Sequence, residues 1–228
     1  MHFLSRRGLS RRALSLVGFV ALAGCATNVP TVFPMGLEPL EANTALPPAP
    51  VNGNARPEAL NYLTGATMDE GGREYKFVHA RGFVNAPLLR LWAAMRTGAA
   101  NVDRREVTEF MVIPEEDPLY VQSWKTHTII RAAALVEFDV RWRHGVAAGT
   151  VSAPRVVAAR WSKTFGSSFI EIMRGSVSAT ELSGDVCSVD FVYHLGAFTR
   201  TEAHAAQLVQ DMFASWVALV HGRPLPTY

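Results

Sequence analysis

Asp190 and His194 stand four residues apart in the strand-like run Val186 to Leu195, so their side chains share one face with Val192. A carboxylate beside an imidazole is the smallest unit of general acid–base chemistry. The same spacing also suits a solvated face, because Phe191 and Tyr193 point the other way and an aromatic face is usually core. Lys163 shares a face with Trp161 and is an amine nucleophile only if its pKa is depressed. Cys187 has no basic neighbour in sequence and reads as a small apolar packing residue. Among His127, His144, His194, His204 and His221 no pair has the helical spacing of a zinc motif, and there is no Cys-x-x-Cys, so no metal is expected. Gly166, Gly175 and Gly196 form no phosphate loop, and Ser167 and Ser168 lack the Gly-x-Ser-x-Gly elbow. No cofactor is expected, and no catalytic set is assigned.

The elements that would position these groups alternate in a simple order. Glu74 to Val84 is a strand; Asn85-Ala86-Pro87 starts a helix with Leu88, Leu91, Trp92 and Met95 at helical spacing, ended by Gly98. Val102 to Ile113 and Leu119 to Thr126 have strand character on either side of the turn cluster Pro114 to Pro118. Leu135 to Arg143 alternates most clearly: Val136, Phe138, Val140 and Trp142 on one face, Glu137, Asp139, Arg141 and Arg143 on the other. Val156 to Phe165, Phe169 to Glu181 and Val186 to Leu195 follow through short turns, which argues for an antiparallel sheet. After Thr201, an expected N-cap, a wide stripe of Ala205, Leu208, Val209, Met212, Phe213, Trp216 and Val220 marks a long helix that stops at Gly222 and Pro224. The class is therefore α+β, one domain of residues 61–228, with Pro57 to Met68 a short helix or turn leading in.

The first sixty residues are different. Pro30, Pro34, Pro39, Pro47, Pro48 and Pro50 preclude regular structure, and residues 25–60 read as a Pro-rich tether. Before it, Arg6, Arg7, Arg11 and Arg12 precede the apolar run Leu14 to Ala23, which is too short to span a bilayer, and then Leu22-Ala23-Gly24-Cys25. These parts resemble a bacterial lipoprotein signal, with residues 1–24 as the signal peptide. The resemblance implies cleavage before Cys25, acylation of its thiol and anchoring to a membrane in the cell envelope. Ala26, where an aspartate would resemble an inner-membrane retention signal, favours the outer membrane. The paired arginines also resemble a twin-arginine export signal but lack its Phe and Lys. The chain's formal net charge is +2, and the signal arginines carry +4, so the remainder is −2. No basic face is left for nucleic acid.

The order strand, helix, antiparallel meander, long last helix, with Gly82-Phe83-Val84-Asn85-Ala86-Pro87 followed by Leu91-Trp92, resembles the START-like (SRPBCC, helix-grip) superfamily over about two-thirds of the chain. The resemblance implies a curved sheet around the C-terminal helix and an apolar cavity between them for a lipid or other apolar small molecule. Candidate lining residues are Phe138, Val140, Trp142, Tyr193, Met212, Phe213 and Trp216. Two other readings stay open: a cyclase- or dehydratase-like enzyme, signalled by a buried polar pair inside the cavity with Asp190/His194 or Tyr193 as the first suspects, and an interaction domain with a filled core.

Overall fold

A computed structural model describes residues 30–51, 55–131 and 134–228. The signal peptide and Cys25 lie outside the described residues. Eight strands, β1 (Leu60–Met68), β2 (Glu74–Val84), β3 (Glu109–Glu115), β4 (Gln122–Arg131), β5 (Leu135–Gly149), β6 (Pro154–Gly166), β7 (Ile170–Ser183) and β8 (Val186–Ala197), form one sheet in the order β1-β2-β8-β7-β6-β5-β4-β3. Every neighbouring pair is antiparallel. The chain leaves the sheet between β2 and β3 through α1 (Leu88–Met95) and a 3₁₀ turn at Gly98–Asn101, and closes with α2 (Glu202–Val220). The sheet curves around α2, with irregular pairing of β5 and β6 at Asp139/Val140 and Val146/Ala148, where bulges bend strands. This is the α+β helix-grip architecture.

Three local readings need correction. Pro57 to Met68 is neither helix nor turn: Leu60–Met68 is edge strand β1, because its partner β2 offers a full ladder of backbone groups. α1 begins at Leu88 with Pro87, not Asn85, at its cap. Residues 102–108 are loop rather than strand, since Asp103 folds them into a turn, its carbonyl accepting from Val107 N–H at 2.9 Å and its carboxylate from Arg105 N–H at 3.1 Å.

The proline-rich stretch is also placed differently from a free tether. Residues 30–45 lie across the convex face of the sheet as a strap. Val32 N–H donates to the Ala147 carbonyl at 2.7 Å, Leu40 N–H to Ser176 Oγ at 3.0 Å, and Asn43 Nδ2 to the Ala80 carbonyl at 2.8 Å. Prolines remove helix and ladder donors, but they leave a chain free to dock through side chains and its remaining amides. Leu37 is fully buried over Gly145, where a Cβ would stand 2.6 Å from its side chain. Phe33 packs on the small cluster Ala147, Ala148 and Val156. Leu37→Ala is expected to cost about 2 kcal/mol, at the low end for a buried leucine because the site is a satellite of the main core. Urea unfolding measures this, and unchanged stability would mean the strap is not docked.

Candidate functional site: an apolar cavity under the helix

α2 packs on β1, β2 and β8, so the concave face from β4 to β7 is not filled by the helix. The space left is a cavity of about 430 Å³, within the usual range of small-molecule sites. Its walls are Thr126, Thr128 and Ile130 of β4, Val136, Phe138, Val140 and Trp142 of β5, Trp161 of β6, Met173 of β7 and Tyr193 and Leu195 of β8. Leu208 and Met212 of α2 face them, and the loop after the 3₁₀ turn closes one side. Exposed Phe169 and Phe198, with ring centroids 6.1 Å apart, stand at the end of the strands where β4–β5, β6–β7 and the exit of β8 meet.

One register line builds the inner wall. Trp124 pairs with Trp142, Trp142 with Trp161, Trp161 with Gly175, and Gly175 with Tyr193, so all these residues share the concave face. Trp142 stacks on Trp161 at 4.7 Å, and Trp161 meets Phe191 edge-on at 5.4 Å. The Trp161 ring lies over Gly175, the position in the row without a side chain. Tyr193 Oη and Trp142 Nε1 are buried and have no hydrogen-bond partner among the described residues. Burial, reinforced by the nearby Asp103 carboxylate, raises the Tyr193 pKa, so its hydroxyl is a neutral donor.

The two arginines of the cavity wall are each paired with a carboxylate. Arg200 donates twice to Glu106, at 2.9 and 2.7 Å, and Arg105 twice to Asp211, at 2.5 and 3.2 Å. Thr199 turns the chain into Arg200 with φ of 60°, an uncommon conformation for a β-branched residue. His204 Nδ1 accepts from the Thr201 backbone N–H at 3.1 Å and serves the α2 cap. Burial raises the Asp103 carboxyl above its ordinary range.

Of the seven side chains assigned from sequence to the cavity, Phe138, Val140, Trp142, Tyr193 and Met212 line it. Phe213 and Trp216 do not. They sit on the part of α2 pressed against the sheet, Phe213 next to Gly82 and Trp216 stacked on Phe191 at 5.5 Å with Nε1 donating to Asn101 Oδ1 at 2.9 Å. A seven-position stripe wraps too much of a helix for every member to face one void, and the stripe alone does not say which side the void is on.

Asp190 and His194 are on the convex face, away from the cavity, and form no pair. His194 is not solvated as its sequence position suggested, because the strap covers it. Asp190 bonds Arg81 Nε at 2.5 Å, and His194 Nε2 donates to Glu41 Oε1 at 3.1 Å. His79 Nε2 donates to the same oxygen at 2.6 Å, while Thr44 N–H and Arg174 Nε–H fill the Nδ1 atoms of His79 and His194. Both imidazoles are thus neutral Nε2–H tautomers tying the strap down. Burial lowers the His194 pKa, with Glu41 opposing it, and burial of Glu41 is outweighed by the two imidazole hydrogen bonds, which hold its carboxyl below the ordinary range. Lys163 Nζ donates to the Gly166 and Ser167 carbonyls and caps a turn. Cys187 is fully buried, with burial pushing its thiol up to about 12, so it is not a reactive thiolate. Sequence reading missed His79, Glu41 and Asp103. For Asp103 a signal existed, since the polar run Asp103-Arg104-Arg105-Glu106 interrupts the strand pattern; for the other two none did.

No family model and no curated protein matches the chain. Among solved structures it is similar to human StAR-related lipid transfer protein 5, at 10% identity over 71% of this chain and 80% of that one, with a TM-score of 0.45. It is similar to a STAR-related lipid transfer protein from Xanthomonas axonopodis at 12% identity, covering 70% of this chain and 97% of that one, with a TM-score of 0.44. The Zhui aromatase/cyclase from Streptomyces sp. R1128 is 12% identical over 72% of this chain and 93% of that one, with a TM-score of 0.40. These likenesses concern the fold alone.

Proposed function

We propose that this chain is a START-like lipoprotein that binds or carries a lipid or other apolar small molecule in the cell envelope, anchored through acylated Cys25. The cavity carries the reading: about 430 Å³ with a sheet wall mostly of aromatic and aliphatic side chains, and with the charged groups Asp103, Arg105, Glu106 and Arg200 also in the lining. The lipobox-like Leu22 to Cys25 and the exportable segment before it support the anchor and the envelope, and Ala26 supports the outer membrane. Seven peptide steps separate Cys25 from Val32, the first strap residue bonded to the sheet, a reach of at most about 25 Å. An anchor at Cys25 would thus lie within about 25 Å of the Ala147 end of β5. Residues 25–228 with Cys25→Ser, which contain every described residue, are expected to bind an apolar fluorescent probe such as pyrene with 1:1 stoichiometry. Release of radiolabelled palmitate incorporation by the same substitution in the full chain checks the anchor. A domain that binds no apolar probe ends the carrier reading.

The buried Tyr193 hydroxyl, without a hydrogen-bond partner among the described residues and near Asp103, favours a second reading, an enzyme of the cyclase or dehydratase kind. Turnover of an apolar substrate that disappears in both Tyr193→Phe and Asp103→Asn would support it. An interaction domain with a filled core is disfavoured by the cavity itself.

A further inference from the structure

We infer that the cavity selects an uncharged ligand: a hydrocarbon frame bearing a ketone, aldehyde, ester or hydroxyl oxygen, and not a free carboxylate or phosphate. The inference rests on the cavity reading above and adds the chemistry of the ligand. Two buried hydrogen-bond donors in the wall, Tyr193 Oη–H and Trp142 Nε1–H, have no partner among the described residues. A buried donor left unpaired is costly, so a ligand oxygen that meets one gains more than it would in water. Both donors are walled in at present. A ligand oxygen reaches them only if wall side chains shift, and Met173 and Met212, which line the same space, are flexible enough to do so.

The charges argue against an anion. The two arginines of the lining, Arg105 and Arg200, are each spent on a two-point carboxylate partner, Asp211 and Glu106. An incoming carboxylate would have to break such a pair and would then sit beside Glu106 or Asp103. An incoming ketone needs neither step, since a neutral acceptor asks only for a donor. Burial already disfavours the charged form of Asp103, so the site resists a second negative charge.

The test uses three probes on one ring system: pyrene, 1-acetylpyrene and 1-pyrenecarboxylate, titrated by fluorescence at pH 7 into residues 25–228 carrying Cys25→Ser. The expected order is 1-acetylpyrene about ten-fold tighter than pyrene, and 1-pyrenecarboxylate at least ten-fold weaker than 1-acetylpyrene. Tyr193→Phe or Trp142→Phe is expected to remove most of the acetyl group's advantage, read within each variant as the ratio of 1-acetylpyrene to pyrene affinity. Carboxylate binding as tight as ketone binding overturns the inference, and so does a ketone advantage that survives both substitutions. If none of the three probes binds, the cavity reading itself falls and takes the inference with it. The comparison of the three probes on the unsubstituted wall stands even if one variant fails to fold.

Discussion

Lowering the pH from 7 to 4 is expected to cost this domain about 3 kcal/mol of stability through His144 alone, rising to about 4 kcal/mol by pH 3. His144 is fully buried between Trp124, on which it stacks at 4.6 Å, and the α1 region, and neither ring nitrogen has a partner among the described residues. Burial, with help from the Arg96 guanidinium just after α1, pushes its pKa down to about 3 from an ordinary 6.5. The sign follows from the unfolded chain. Below pH 6.5 the unfolded imidazole takes a proton that the folded one refuses, so stability is fully present above pH 6.5 and is lost as pH falls toward 3. His194, also lowered by burial, adds in the same direction and loosens the strap, because a protonated Nδ1 would face the Arg174 guanidinium. Asp103, raised by burial, works the other way. Urea unfolding of wild type and His144→Phe at pH 7, 5 and 4 isolates the effect, since phenylalanine keeps the stack and does not titrate. Parallel curves for the two proteins across that range would show that His144 does not control the acid response.

Gly175→Ala is expected to cost about 3 kcal/mol, the upper part of the range for overpacking, and to weaken pyrene binding at least ten-fold. The reason is steric and not conformational. A Cβ at Gly175 would lie 1.9, 2.3 and 2.5 Å from three atoms of the Trp161 ring. Retreat along the row is blocked by Trp142, stacked on one side, and Phe191, set edge-on against the ring, which leaves the cavity as the open direction. The added methyl must push Trp161 out of the row or part β6 from β7. Either shift moves the cavity wall. Gly184→Ala is the control, with open space where its Cβ would go. Thermal and urea unfolding, with pyrene titration on whatever remains folded, read the result. A Gly175→Ala protein as stable as wild type would mean that the aromatic row is not packed as described.

The row itself shows how far one-dimensional reading reaches. Period-two alternation in Leu135 to Arg143 places Phe138, Val140 and Trp142 on one face, and the structure keeps them there despite the bulge beside Asp139. Alternation is a property of neighbouring residues, so it is present in the sequence. That Trp124, Trp142, Trp161 and Tyr193 meet in one line depends on register between strands up to 69 positions apart, from Trp124 to Tyr193, and no local pattern carries it. The same holds for Gly175, whose neighbours in sequence say nothing of the Trp161 ring that lies over it.

The class of the domain, the antiparallel meander, the long last helix and the apolar face of β5 were legible in the chain alone, because they follow from hydrophobic periodicity and turn chemistry over a few residues. The chain also held the export-like start and Cys25 as a pattern of charge, apolar run and small residues. That the proline-rich stretch is a strap emerges with the folded sheet, since prolines exclude helix and ladder whether a segment floats or docks, and its partners His79, Ser176 and His194 lie far along the chain. The tertiary structure alone separated Met212, at the void, from Phe213 and Trp216, in the packed layer. A helix stripe reports which side is apolar, and what that side faces depends on how much of the sheet one helix can cover.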